Sequence, residues 1–249
     1  MLSIFQKRTY LIDLLDGLTD FHNHILPGID DGAKTVSESL QLINAFEEIG
    51  ITKFVATPHV IGEYYPNTPQ SIHTALNEVK DELQPHFKIK AAAEYMMDQH
   101  FVEIIEKKNI LTVSDRNVLV EMSYFQPPLN LNEILFKLQN NSFSPILAHP
   151  ERYAYLQSRS LEKFRDLKSR GCSFQLNMLS LSGHYGESIK KTAFQLLEED
   201  LLDFICSDVH RIEHIDKIRK IRIPKKYHDQ VKELADNNKK LFSTENLNY

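Results

Sequence analysis

The chain contains no tryptophan and only two cysteines, Cys172 and Cys206, among 249 residues. Two thiols cannot build the disulfide framework of a small secreted scaffold, and their scarcity points to a reducing compartment. An excess of either charge is also lacking. The 29 basic and 34 acidic residues leave a net charge of -5, which gives no electrostatic basis for a nucleic-acid surface. No run approaches the roughly 18 uninterrupted apolar residues of a membrane helix, and after Arg8 the N-terminus shows no apolar signal core or small-residue cleavage site. A cytoplasmic protein that does not insert into membranes is expected. No Pro/Gly/Ser-rich stretch divides the chain. What is present, 42% hydrophobic and 25% charged residues, is the composition of a globular domain with a sizeable core, and it excludes disorder and collagen-like repeats. Histidine is plentiful, at eleven.

Short apolar runs alternate with segments of helical period, which is α/β architecture. Strands are expected near Asp20 to Ile25, Lys53 to Thr57, Ile89 to Ala93, Val118 to Glu121, Ile146 to His149, Ser173 to Asn177 and Phe204 to Ser207. Between the first two, Thr35 and Glu38 fit a capping box. Val36, Leu40, Ile43 and Phe46 recur at helical spacing, and Gly50 suits a left-handed C-terminal cap. Thr68-Pro69 opens a second helix with Ile72, Leu76, Val79 and Leu83 on one face. Leu131 to Asn141, Leu161 to Arg170 and Ser188 to Glu199 read as further helices, and the basic run Lys217 to Lys226 as a solvated helix face. Seven βα units in about one barrel's length predict a single-domain, distorted (β/α)7 barrel, with an open doubly wound sheet as the alternative.

Such barrels place their chemistry at the C-terminal ends of the strands. His22 and His24, at i and i+2 in an extended segment, send two imidazoles to one side. The later strands end in His59, Glu94, Glu121, His149-Pro150-Glu151-Arg152 and Asp208-Val209-His210, and Asp30-Asp31 sits in the loop after the first. A lone strand-end histidine is commonly a structural residue. Acidic or imidazole groups at six of seven strand ends are a different matter, because carboxylates crowded on one rim repel unless cations neutralise them. The nine candidate metal ligands are His22, His24, Asp31, His59, Glu94, Glu121, His149, Asp208 and His210. Nine exceed what one ion takes, so two or three metals are implied, and a nitrogen and oxygen set admits manganese, iron, zinc or cobalt. The other six histidines, His73, His86, His100, His184, His214 and His228, fall away from the strand ends and are expected to be structural.

The segments His22-Asn23-His24-Ile25-Leu26-Pro27-Gly28-Ile29-Asp30-Asp31-Gly32, Ala56-Thr57-Pro58-His59, His149-Pro150-Glu151-Arg152 and Ser207-Asp208-Val209-His210 resemble the polymerase and histidinol phosphatase (PHP) superfamily. More narrowly, they are similar to the bacterial manganese-dependent protein tyrosine phosphatases of capsular and exopolysaccharide synthesis. The motifs run in order over most of the chain. The resemblance implies a PHP-type domain over residues 19–249, preceded by an N-terminal extension, 1–18, longer than in the shortest members and able to cover the barrel's lower end. It implies a trinuclear site, with His22, His24 and Asp208 on one ion, and Glu94 bridging to a second held by Glu121 and His149. The third ion would fall to Asp31, His59 and His210. Asp31 is chosen over Asp30 because the second aspartate of the Asp-Asp-Gly motif is the family's ligand, and Arg152 matches its phosphate-binding arginine. A second such arginine is replaced here by Ile215, with Arg211 or Lys217 as the candidate substitutes.

The implied reaction is hydrolysis of a phosphotyrosine monoester by a metal-activated hydroxide, coordination lowering the pKa of water from 15.7 towards roughly 7. Asp208 and His210 are candidate proton donors to a phenolate whose acid has a pKa of about 10. Tyr64, Tyr65, Tyr124 and Phe125 lie on rim loops where they can stack on the substrate ring. The implied partner is a tyrosine-phosphorylated protein, a bacterial tyrosine kinase with a tyrosine-rich tail. A cysteine-based mechanism is excluded, since Met178 and Ile212 stand where the arginine would follow Cys172 or Cys206, and both thiols are expected to be buried. The competing possibilities are a phosphatase of a small metabolite such as histidinol phosphate, a metal-dependent amidohydrolase, and a non-catalytic module that binds phosphotyrosine.

Overall fold

Val118, Leu119 and Val120, like Ile146, Leu147 and Ala148, are buried at consecutive positions. A strand can bury both of its faces in this way only when a parallel sheet is covered on both sides. The computed structural model describes residues 8–157 and 160–242; residues 1–7 of the expected extension and 243–249 of the expected domain lie outside the described residues. In chain order the elements are β1 (Arg8–Tyr10), β2 (Thr19–Asp20), α1 (Val36–Glu47), β3 (Lys53–Ala56), β4 (His59–Val60), α2 (Pro69–Lys80), β5 (Lys88–Ala91), β6 (Glu94–Met96), α3 (Gln99–Glu106) and β7 (Asn117–Glu121). They continue with α4 (Leu131–Asn140), β8 (Ser144–Ala148), α5 (Glu162–Ser169), β9 (Ser173–Asn177), α6 (Glu187–Glu198), β10 (Phe204–Cys206), α7 (Ile212–Ile218), β11 (Arg222–Pro224) and α8 (His228–Leu241).

Two parallel sheets, ordered β2-β3-β5 and β10-β9-β8-β7-β6-β4, share chain segments, because β3 runs on into β4 and β5 into β6. The first and last segments meet through an isolated parallel bridge, Asn23 to Val209, with Asp208 N donating to His22 O at 2.8 Å and His24 N to Val209 O at 2.9 Å. No ladder pairs β2 with β10 among the described residues. Inside this arrangement Phe21, Val55, Ala92, Leu119, Ile146 and Cys206 form a small separate core. Their outward neighbours Phe54, Ile89, Val118, Leu147 and Phe174 pack under the helices in the main one. Phe242, just after α8, joins the inner core and stands 6.0 Å from the Phe21 ring.

Both helices with sequence caps form as expected. Thr35 accepts from Glu38 N at the start of α1, but the Glu38 carboxylate takes Lys34 N instead of closing the box. Thr68 and Ser71 make the full reciprocal box at α2. Three helices and one strand pair differ from the expectation. α3 and α8 are not among the expected helices, although Phe101, Val102 and Ile105 and likewise Val231, Leu234 and Ala235 fall at helical spacing and are buried on one face, and the Lys217 to Lys226 run is not a helix face. It crosses the end of α7, β11 and a single 3-10 turn, because Ile221 and Ile223 are drawn into the core while β11 pairs with β1. Leu11, Leu14, Leu15 and Leu18 of the N-terminal segment also enter the main core.

Candidate metal centre

The strand ends converge. His22 and His24, on one side of the chain leaving β2, each bring Nε2 within 3.4 Å of Asp208 Oδ1, beyond β10. Glu94, the first residue of β6, is fully buried among four imidazoles. Its Oε1 lies 3.2 Å from His22 Nε2 and 3.3 Å from His149 Nε2, and its Oε2 lies 3.5 Å from His24 Nε2 and 3.0 Å from His59 Nδ1. Glu121, ending β7, approaches His59 Nδ1 at 2.9 Å. Asp31 faces His59 Nε2 at 3.5 Å and His210 Nε2 at 3.4 Å. All nine residues singled out in the sequence therefore meet at one rim.

Their donor atoms form four groups, each spanning no more than 4.8 Å: His24, Asp31, His59 and His210; His22, Glu94 and His149; His22, His24 and Asp208; and His59, Glu94 and Glu121. Glu121 thus groups with His59, and His149 with His22, whereas the resemblance pairs Glu121 with His149. The donor set fits divalent cations on a second ground. His22 Nε2, His24 Nε2, His59 Nδ1, both oxygens of Glu94 and Glu121 Oε1 are buried and have no hydrogen-bond partner in the protein. An uncompensated buried carboxylate is costly, and a cation shared with the facing nitrogens removes that cost. The charges respond accordingly. Burial would raise the Glu94 and Asp208 carboxyls, but His22 and its neighbours hold both well below the usual range. Burial would lower His22, His24 and His59, yet the surrounding carboxylates raise all three. Glu121 is raised by burial and by Glu94. His149 is pushed down to about 4 by burial and by Arg152.

A second tier of side chains orients the first. His22 Nδ1 lies 2.7 Å from Gln175 Oε1, His24 Nδ1 2.8 Å from Asp30 Oδ2, and His210 Nδ1 3.0 Å from the Asp208 carbonyl. Each contact places the ring proton on Nδ1 and turns the Nε2 lone pair towards the carboxylates. Asp30 also accepts from Gly32 N at 2.8 Å and His59 N at 3.2 Å, so the first aspartate of the doublet positions the imidazoles while the second faces the cavity. Ser207 donates from N and Oγ to Asp20 at 2.9 and 2.6 Å, tying β2 to β10 directly below Asp208. Asp208 and His149 are held in the left-handed region, at φ 53° and 36°, a conformation costing about 1–2 kcal/mol for a residue with a Cβ. Strain at two candidate ligands is where a functional site stores it.

Above the cluster opens a cavity of about 500 Å³. Arg152 spans it. Its Nη1 donates to Asp208 Oδ2 at 2.7 Å, and its guanidinium lies 4.8 Å from the Tyr124 ring and 4.1 Å from the Tyr185 ring. Tyr64, Tyr65, Phe125 and Arg211 line the rim, with Tyr64 78% and Phe125 94% exposed. Ile215 is fully buried in the core, so no cation occupies that position's place. Lys217 stands outside this cavity, its Nζ 3.0 Å from His184 Nδ1. Two histidines set aside as remote belong here. His184 lines the cavity, and so does His214, whose Nδ1 accepts from His210 N at 3.3 Å. They arrive on the turn after β9 and on α7, where strand-end reasoning does not look. Gln175, Asn177 and Tyr185 were likewise illegible, their partners lying far along the chain. Cys172 and Cys206 are buried, with burial pushing Cys172 up to about 12.

A family model described as capsular polysaccharide synthesis, CpsB/CapC, matches residues 18–243. The chain is 28% identical over 238 residues to a putative tyrosine-protein phosphatase CapC of Staphylococcus aureus, covering 92% of this chain and 93% of that one. It is 27% identical over 202 residues to the tyrosine-protein phosphatase YwqE of Bacillus subtilis (strain 168), covering 79% and 78%. Among solved structures, one from the work on YwqE of Bacillus subtilis and CpsB of Streptococcus pneumoniae, described as unique metal-dependent tyrosine phosphatases, superposes with a TM-score of 0.81. It is 24% identical and covers 92% of this chain and 96% of that one. A histidinol phosphate phosphatase of Lactococcus lactis, solved with zinc, L-histidinol and phosphate, superposes at 0.53 with 16% identity, covering 82% and 92%.

Proposed function

The chain belongs to the CpsB/CapC family of capsular polysaccharide synthesis, and from that premise we propose that it is a metal-dependent protein tyrosine phosphatase. The observation that carries this is Glu94. A fully buried carboxylate with neither oxygen hydrogen-bonded, ringed by His22, His24, His59 and His149, calls for cations, and the cavity above it holds an arginine.

His22, His24, Glu94 and Asp208 would hold one ion, Glu94 with His149 and Glu121 a second, and Asp31, His59 and His210 a third. His59 also stands close enough to Glu121 to share the second site. Manganese is the proposed metal. Bound there, divalent cations supply Lewis acidity at the phosphoryl oxygens and activate water at neutral pH. The protein's own groups do the rest. Arg152, fixed between two tyrosine rings and Asp208, presents donors to a phosphate oxygen as charge develops. Tyr64, Tyr65 and Phe125 offer faces to the phenyl ring at the mouth, and Arg211 adds positive charge there. Asp208 is held as a carboxylate, and His210 would face the third ion through Nε2 with its Nδ1 proton on the Asp208 carbonyl. Neither therefore has a proton to give the departing phenolate, whose charge the cations and Arg152 would stabilise instead. Cys172 is buried and Cys206 has its thiol pushed well up by burial, so neither supplies a thiolate nucleophile.

The substrate would be a tyrosine-phosphorylated protein, such as a kinase of the capsular machinery, acted on in the cytoplasm. No helix among the described residues is long and apolar enough to cross a membrane. Phosphate release from a phosphotyrosine peptide in defined manganese, with H59A and R152A as controls, tests the proposal. Release that both substitutions suppress is expected. Tight peptide binding without release would favour a non-catalytic module, and faster turnover of histidinol phosphate than of the peptide would reassign the substrate.

A further inference from the structure

Beside the main cavity, and sharing His184 with it, lies a second cleft of about 670 Å³. Its cationic lining is Lys190, Lys217, Lys220 and Arg222, and its floor includes Leu181, Phe194 and Ile221. No carboxylate lines it among the described residues. That is notable in a chain whose net charge is -5. Lys217, Lys220 and Arg222 are exposed. Their described contacts are with neutral groups: Lys217 meets His184 at 3.0 Å, and Arg222 donates to Tyr10 Oη at 2.9 Å. Glu187 stands 3.5 Å from Lys190 at the edge and neutralises only that cation.

We propose that this cleft binds an acidic stretch of the polypeptide substrate flanking the phosphotyrosine. The inference rests on the phosphatase reading above. A phosphotyrosine seated against Arg152 leaves the neighbouring residues of an extended chain, spaced roughly 3.3 Å apart, to run over His184. Beyond it they meet concentrated positive charge over an apolar floor. Glutamate or aspartate satisfies the charges, and their methylenes rest on the partly exposed Phe194. Clustered like charge with nothing opposite it also steers an anionic chain towards the mouth of the site.

The test compares three substrates on the metal-loaded protein: a phosphotyrosine peptide with glutamates on both flanks, the same peptide with glutamines, and p-nitrophenyl phosphate. The acidic peptide is expected to show a KM about five- to tenfold lower than the neutral one at low salt, shrinking as salt rises. K220E/R222E should abolish that difference while leaving kcat on p-nitrophenyl phosphate unchanged. K190E/K220E, which spares the Tyr10 contact, serves if the first variant unfolds. Equal KM values for the two peptides in the unmutated protein, or a difference that survives both variants, would overturn the proposal. Fluorescence anisotropy of the labelled peptides reads the cleft without turnover. Acidic-peptide binding lost in the variants but with no phosphate released by any protein would sink the phosphatase reading and leave the cleft standing.

Discussion

Replacing Asp30 by asparagine removes one charge and no volume, and it probes whether the histidines are held for metal or merely packed. The carboxylate takes three hydrogen bonds, from His24 Nδ1 at 2.8 Å, Gly32 N at 2.8 Å and His59 N at 3.2 Å. Burial alone would raise its pKa, but His24 and the Gly32 amide outweigh burial and keep it ionised. An asparagine has one accepting oxygen. With that oxygen towards His24, its NH2 group faces the Gly32 amide, donor against donor, at a cost of roughly 1–3 kcal/mol. In the flipped orientation the NH2 group faces His24 Nδ1, which must then accept. The ring proton moves to Nε2 and blocks the lone pair aimed at Asp208 and Glu94. Either outcome loosens the ion held by His24. Loss of such an orienting carboxylate lowers metal affinity or activity by about 10- to 100-fold, equivalent to about 1.4–2.7 kcal/mol. Chelator competition gives the affinity, and phosphate release gives kcat/KM. A D30N protein with unchanged metal affinity and unchanged kcat/KM would refute the orienting role of Asp30.

Other outcomes follow from the same geometry. A Cβ at Gly32 would stand 2.0 Å from His24 O and 2.6 Å from His24 Cβ. G32A should therefore lose about 1–3 kcal/mol of stability together with metal, and a thermal melt matching the unmutated protein would contradict this. R152K keeps the charge but not the planar fork between Tyr124 and Tyr185, so kcat/KM should fall about 10²-fold or more, which steady-state kinetics on a phosphotyrosine peptide will read. In chelated protein, His22, His24 and His59 are raised above 6.5, so the stability they contribute is present below pH 6.5 and lost as pH rises through their folded values. Glu151, raised to about 7 chiefly by burial, acts in the same direction, since it must ionise inside the fold. Metal-free protein should thus melt lower at pH 8.5 than at pH 6, with metal reversing the trend, and flat melting temperatures across that range would contradict it.

The fold and the clustering of the candidate ligands were legible because they obey short-range rules. The i, i+2 spacing of His22 and His24 has one geometric meaning in an extended chain, and the limits of Ser173–Asn177 coincide with β9. Thr35 and Thr68 announced two helices because side-chain caps act within four residues. What escaped depends on partners far apart in sequence. Gln175 meets His22 across 153 positions, and no local pattern marks it. His184 and His214 reach the cavity from a turn and a helix, and the basic segment before α8 is pulled into β11 by pairing with β1 rather than by its own propensity. The resemblance already singled out Asp31 of the doublet as the candidate ligand, but the orienting contacts of the buried Asp30 appear only in the folded loop.

The direct test of the account is where metal sits. Crystals grown with manganese, measured at its absorption edge, should give two or three anomalous peaks, each within about 2.0–2.4 Å of donor atoms among the nine clustered residues, with those touching Glu94 weakened or lost in E94Q. A map with no peak at this rim, from protein that still releases phosphate from phosphotyrosine, would contradict it.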